Sequence, residues 1–382
     1  METDELLINM GPVHPSTHGV LRFKLRMDGE IIKECQIVMG YLHRGTEKLA
    51  EMNTYLQFIP YTDRLDYMSA IPNNYAYVKA VEELAGIEVS LRAEYVRVLT
   101  MELNRIANHL VFMGSLLLDL GASTPIMYGF REREKILQLY EMLCGARMTF
   151  SYMRIGGVRE DLPEGFMPKL NEFIKDMEKR IVDYEELING NEIFLLRMKN
   201  IGIISADEAI NYGITGPTLR GSGVNYDIRK IEPYSIYSDI DFKACVRKEC
   251  DSYARYLVRI DEMKESLHIL RQIADTMPSG EIVTTQKYGI SPMTGMPSAV
   301  MTYFPRIFTP PAGEVYTRIE APKGELGFYV VSDGTTRPYR VKIRSPSFCN
   351  LVALPKMVVG LKIPDLIAAF GTMDVVLGDV DR

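Results

Sequence analysis

Five histidines, His14, His18, His43, His109 and His268, are the side chains of this sequence whose ordinary pKa lies close to neutral pH. His14 and His18 stand four apart, a spacing that would pair two metal ligands on a helix. Gly19 and the alternating residues after it place them on a loop instead, where plain hydrogen bonding is the ordinary use of such a pair. Asp119 closes an otherwise apolar helical stretch, and an ionised carboxylate is costly there unless it meets a donor or a cation. A helix-end hydrogen bond would satisfy it. So would a loop histidine, each group then favouring the other's charged form. Tyr67 lies in the run YTDRLDYMS at 61–69; a buried tyrosine generally supplies a ring to the core and a hydroxyl to a partner, and Arg64 and Asp66 beside it read as a surface ion pair. None of the five cysteines forms a CxxC pair. Cys245 and Cys250, five apart in a polar segment expected to be helical, have no histidine nearby and suggest no metal site.

These side chains need elements to hold them. Residues 20–27 alternate, with Leu21, Phe23, Leu25 and Met27 on one face and Arg22, Lys24 and Arg26 on the other, the period of a half-buried strand. Asp28-Gly29 turns it into a second strand over 30–39, so the loop bearing His14 and His18 precedes a small β unit. From residue 74 the spacing becomes helical, with long helices expected over 91–120, 131–144, 168–189 and 241–276. Gly221-Ser222-Gly223 lacks the third glycine of a dinucleotide-binding fingerprint. Past Met277 the chain is rich in proline and glycine, with strand-like runs at 327–331 and 339–343 around Asp333-Gly334, and it finishes with a segment over 361–370 and the terminal run 373–382. The expected class is α+β, in three parts that share one compact unit: a β-rich N-terminal part (1–73), a helical bundle (74–276), and an irregular, partly β C-terminal part (277–382) packed on the bundle.

With 47% apolar residues among 382, the chain can bury a large core. A net charge of −6 with dispersed Lys and Arg argues against a nucleic-acid partner. No run reaches the roughly 18 apolar residues a membrane-spanning helix needs, and the acidic N-terminus does not read as a secretory signal, so a cytoplasmic-side location is expected. Five scattered cysteines fit a reducing compartment. The 22 methionines read mainly as core filler, with some room for a flexible ligand channel.

Six segments, GPVHPSTHGVLR (11–22), GYLHRGTEK (40–48), FRERE (130–134), RIGGV (154–158), SGVNYD (222–227) and GDVDR (378–382), resemble in order and nearly end to end the 49-kDa, quinone-site family of complex I. The resemblance implies the fold of nickel-iron hydrogenase large subunits, whose metal is held by two CxxC pairs. Here the corresponding positions are Asp66, Ser69, Val376 and Asp379, none with sulfur, so hydrogenase chemistry is not expected and this chain is expected to hold no metal. The vacated cavity would receive a membrane quinone. By the same resemblance His18 and Tyr67 are the headgroup donors, Asp119 orients His18, and His14, Arg64, Ser69, Thr149 and Asp379 lie around the quinone or near the 4Fe-4S cluster of a neighbouring small subunit. Other peripheral-arm and membrane-arm subunits would complete a proton-translocating complex at the membrane surface.

One position departs from the family pattern. Thr149, in GARMT (145–149), stands where many members carry a histidine. Without an imidazole that can protonate on reduction, the cluster would have a lower and less pH-dependent potential, which suits menaquinone, plastoquinone or methanophenazine better than ubiquinone. The donor could be NADH, reduced deazaflavin or ferredoxin. A scaffold subunit without catalytic residues is the rival reading from another class.

Overall fold

The structure, a computed structural model, describes residues 5–12, 19–284 and 308–382; His14 and His18 lie outside the described residues. The alternation at 20–27 becomes the strand Arg22–Asp28, which buries Phe23, Leu25 and Met27 and turns Arg22, Lys24 and Arg26 outward. It pairs antiparallel with Ile31–Val38 through a turn at Gly29-Glu30, where Gly29 takes a left-handed φ of 59°. On its other edge it pairs with Leu6–Met10, a strand too short and too exposed to give a clear alternation.

The bundle follows. Ala70–Ala85, Leu91–Asp119, Thr124–Cys144, Phe166–Asn189 and Ser252–Thr276 are its long helices. Leu91–Asp119 is the central rod: Ser90 caps it by accepting the Ala93 N–H, and nearly every side chain from Val96 to Leu117 is buried, because neighbouring helices cover it on all sides. The last long helix starts later than residue 241. Asp251 caps it by accepting the Ala254 N–H at 2.8 Å, and Cys250 just ahead has a φ of 62°, which a helix cannot contain. Cys245 and Cys250 are therefore not on a helix, a correction to the sequence expectation.

The C-terminal part is more regular than its composition suggests. Gly313–Ala321, Gly324–Ser332 and Arg340–Arg344 form an antiparallel meander, followed by the helices Pro346–Leu351, Leu354–Val358, Ile363–Met373 and Leu377–Asp381. Two apolar cores result. The larger unites the bundle with the C-terminal meander, and the smaller joins the N-terminal sheet to the C-terminal helices. In the smaller one Phe23 meets Phe370 edge to face at 5.4 Å, while Ile32 exchanges backbone hydrogen bonds with Gly360 and Leu361 at 2.8 and 2.9 Å. The two ends of the chain thus build one body. With antiparallel sheets toward the ends and helices between, the class is α+β. Among the described residues no helix is long and apolar enough to cross a membrane.

Candidate functional site

The segment after the helix Tyr55–Thr62 is a tight turn. Asp66 Oδ1 accepts the N–H groups of Met68 at 3.1 Å and Ser69 at 3.3 Å, and Ser69 then starts Ala70–Ala85. The turn fixes the direction of Tyr67, which is half-buried beside the buried Asp66. Arg64 does not pair with Asp66, as the sequence suggested. It is exposed and donates to the Pro60 carbonyl at 2.5 Å, leaving its guanidinium at the surface.

Asp66 instead pairs with a residue the sequence did not single out. Lys323, 1% exposed, places Nζ 3.0 Å from Asp66 Oδ2 and 3.7 Å from Asp374 Oδ2, and donates to Asn108 Oδ1. Asn108, on the central helix, also accepts from Ser69 Oγ at 3.2 Å and donates to Asp374 Oδ2 at 2.9 Å. A second cation, Arg259, stands 4.0 Å from Asp374. Burial works against the Lys323 ammonium, but Asp374 and Asp66 outweigh it and hold its pKa above the ordinary lysine value.

Lys323 reaches this place because its hairpin turn enters the core. The turn joins Gly313–Ala321 to Gly324–Ser332, and Gly324 lies so close to Gly216 that a Cβ on Gly216 would stand 2.4 Å from the Gly324 Cα. Asn350 then donates to the Lys323 carbonyl at 3.0 Å, and Thr215 Oγ1 accepts the Glu325 N–H at 3.1 Å. No local pattern marks a lysine in a hairpin turn as buried. The pair of glycines was the available signal.

The four positions that the resemblance sets against thiolates, Asp66, Ser69, Val376 and Asp379, come together. A Cβ on Gly378 would lie 2.9 Å from the Leu65 carbonyl oxygen, so the segment bearing Val376 and Asp379 packs directly on the one bearing Asp66 and Ser69. Asp379 accepts from Ser345 Oγ at 2.6 Å and from the Ser347 N–H at 3.2 Å; burial, then the nearby Asp66 charge, push its carboxyl above the ordinary range. Val376 donates its N–H to Ser347 Oγ at 3.4 Å. This donor set does not fit a soft metal: it has no sulfur, and an ammonium, which cannot ligate a cation, sits against Asp66. Burial first, then the Asp66 charge, raise the Tyr67 pKa, and Lys323 opposes them. A phenol so placed keeps its proton at neutral pH and can donate it.

Thr149 and Asp119 lie apart from this cluster. Thr149 has a φ of 48°, in a segment whose Ser151 N–H donates to Asp63 Oδ2 at 2.8 Å. Asp119 ends the central helix eleven residues beyond Asn108, about 16 Å along the axis at 1.5 Å per residue. Beside it opens an apolar groove of ≈ 310 Å³ lined by Leu117, Leu120, Pro125, Leu187, Ile188 and Phe194. Gly19, the first described residue after His18, packs on the C-terminal segment: a Cβ there would stand 3.1 Å from Leu377 Cβ. Two further quoted motifs also meet: the backbone N–H groups of Gly40 and Leu42 donate to the Asp381 carboxylate, each at 2.8 Å.

The family described as the respiratory-chain NADH dehydrogenase 49 Kd subunit matches residues 119–382. Full-length relatives are named as one subunit type of NADH-quinone oxidoreductase. That of Clostridium beijerinckii is 50% identical over all of this chain and 98% of the relative, and that of Dehalococcoides mccartyi strain BAV1 is 51% identical over the whole of both. The counterpart in Bacillus thuringiensis strain Al Hakam is 51% identical, again over the whole of both.

Proposed function

From the premise that this chain belongs to the 49-kDa subunit family of respiratory-chain NADH dehydrogenases, we propose that it forms, with a small iron-sulfur subunit, the pocket in which a membrane quinone is reduced. The observation that carries this reading is the turn at Asp66–Ser69, which offers a half-buried, protonated Tyr67 at the place where the metal ligands of a hydrogenase-like fold would stand. Reducing a quinone takes two electrons and two protons, so each carbonyl oxygen needs a donor within hydrogen-bond reach. Tyr67 is one donor. His18 is the other by the family resemblance, and Asp119 orients it.

The electrons come from a cluster held by the small subunit. The exposed Arg64 guanidinium faces that subunit, and Thr149, in the segment bonded to Asp63 next to Arg64, flanks the same cluster. The cluster potential is low, and the acceptor is menaquinone or another low-potential carrier, plastoquinone or methanophenazine, in place of ubiquinone. NADH is the donor named for the relatives; reduced deazaflavin or ferredoxin would enter through other subunits and leave this pocket unchanged. The chain sits peripherally on the cytoplasmic side of the energy-transducing membrane. Tyr67→Phe in the intact complex is expected to lower quinone reduction by about a hundredfold or more, the usual scale for losing a positioned proton donor, with assembly retained. Wild-type turnover in that variant would overturn the reading. A redox titration of the terminal cluster tests the acceptor, and a high, strongly pH-dependent midpoint would exclude the low-potential carriers.

A further inference from the structure

Lys323 is a buried ammonium that no local feature of the sequence requires, and it stands against the Asp66 turn that carries Tyr67. We propose that Lys323 is a positioning residue of quinone reduction: it clamps the Asp66 turn that carries Tyr67 and supplies the counter-charge for the tyrosinate left when Tyr67 gives up its proton. The inference rests on the pocket assignment above.

Three observations carry it. Asp66 divides its carboxylate between the turn and the cation: Oδ1 holds the N–H groups of Met68 and Ser69, the two residues after Tyr67, and Oδ2 holds Lys323 at 3.0 Å. Lys323 is itself fixed from three directions by Asp66, Asp374 and Asn108, on the turn, the end of Ile363–Met373 and the central helix, so its position has little freedom. The hairpin that delivers it enters the core only because Gly216 and Gly324 leave room. In charge terms, Asp66 and Asp374 are balanced by Lys323 and Arg259, while Asp379, buried and beside the Asp66 charge, is biased toward holding its proton.

In the reaction, a partner's iron-sulfur centre would supply the quinone with two electrons one at a time, being re-reduced by the complex's electron donor between them. The Tyr67 O–H bond breaks as an O–H bond forms at one carbonyl oxygen, and the second oxygen takes its proton from the histidine donor. The product is the quinol. What remains on this side is a tyrosinate next to Asp66, an arrangement that two adjacent anions would forbid without a cation in the same cavity. Lys323 makes no bond to the carrier; it acts through Tyr67 and Asp66.

The test uses the whole membrane complex, with quinone reduction normalised to donor oxidation by ferricyanide in the same preparation. Lys323→Met is expected to lower kcat for quinone reduction by about fivefold or more while KM moves less than about threefold, and Lys323→Arg to restore at least roughly a third of the wild-type kcat. If Lys323→Met fails to assemble, Lys323→Met/Asp374→Asn removes one charge of each sign, leaves Asp66 unopposed beside Tyr67, and is expected to show the same loss in kcat. A kcat within about twofold of wild type in either neutral variant overturns the proposal. So does a Lys323→Arg variant no better than Lys323→Met. Tyr67→Phe is measured in parallel: if it turns over normally the pocket assignment itself fails, whereas an impaired Tyr67→Phe with an active Lys323→Met overturns only the role of Lys323.

Discussion

Asp63 is buried where the helix Tyr55–Thr62 meets the segment around Thr149, and its Oδ1 has no hydrogen-bond partner among the described residues. Burial pushes its carboxyl up to about 7, against the Ser151 N–H, Arg64, Asn74 and Arg154, which all favour the charged form. The folded carboxyl is thus harder to ionise than the unfolded one. Its contribution to stability is full below about pH 4, the unfolded value, and is lost as pH rises through about 7. Asp63→Asn keeps an acceptor for Ser151 and cannot ionise. It is expected to exceed wild type by on the order of 2–4 kcal/mol at about pH 8, with the gap opening between about pH 4 and 7. Thermal unfolding of the two proteins across that range checks this, and a gap independent of pH would refute it. At this scale the sequence was legible only in part. Tyr67, Asp66 and Ser69 could be found by matching a motif, whereas Lys323 and Asp63 owe their state to burial, which a single charged letter in a turn does not reveal.

Elements were legible wherever a period ran long enough. The strand Arg22–Asp28 and the helices Leu91–Asp119 and Phe166–Asn189 lie within a few residues of their expected bounds, since each buries one face or, for the central rod, all faces. Legibility failed where tertiary contact decides. Residues 241–251 are polar enough for a helix surface, yet Lys243 N–H donates to Glu265, and Arg247 and Cys250 donate their N–H groups to the carbonyls of Arg220 and Gly221, so the segment is pinned in a non-helical path. The hairpin turn at Lys323 is another such case. Gly216, at a φ of 69°, has no room for a side chain against Gly324, so Gly216→Ala must both strain the backbone and push the turn outward. A loss of about 2–4 kcal/mol is expected, with quinone reduction falling along with it because Lys323 leaves its clamp. Calorimetry beside the activity assay tests the link: a variant destabilised this far with full turnover would separate the turn from the site.

Across the whole molecule, the Lys323 cluster is the end of a buried ionic network. Lys323 pairs with Asp374, and Asp374 with Arg259, whose guanidinium lies 4.2 Å over Phe112. One turn further along that helix Glu262 holds Arg220 at 2.5 Å and His109 at 2.8 Å; Arg220 also holds Glu320 at 2.7 Å. Arg229 then links Asp227 at 2.7 Å with Glu102 at 3.1 Å. Such charges read as solvated surface in a sequence whose charged fraction is 25%, because most of their partners are far away along the chain. Burial alone would raise the Glu262 carboxyl, yet Arg220 and then His109 outweigh it and hold it well below the ordinary range, while burial lowers His109 despite Glu262, so the neutral imidazole donates from Nε2. A carboxyl of this kind contributes stability above about pH 4 and gives it up only in stronger acid. Breaking one partner of a buried pair costs more than removing both. Glu262→Met is therefore expected to cost about 3–5 kcal/mol near neutral pH by taking from Arg220 one of the carboxylates that hold it and from His109 its partner, and Arg220→Met/Glu262→Met to cost less than the sum of the single changes by about 1 kcal/mol or more. Denaturant unfolding of wild type, the two single variants and the double variant closes the cycle. Simple additivity would mean that these charges are compensated separately, and that the Lys323 cluster is held by its own contacts without support from the interior behind it.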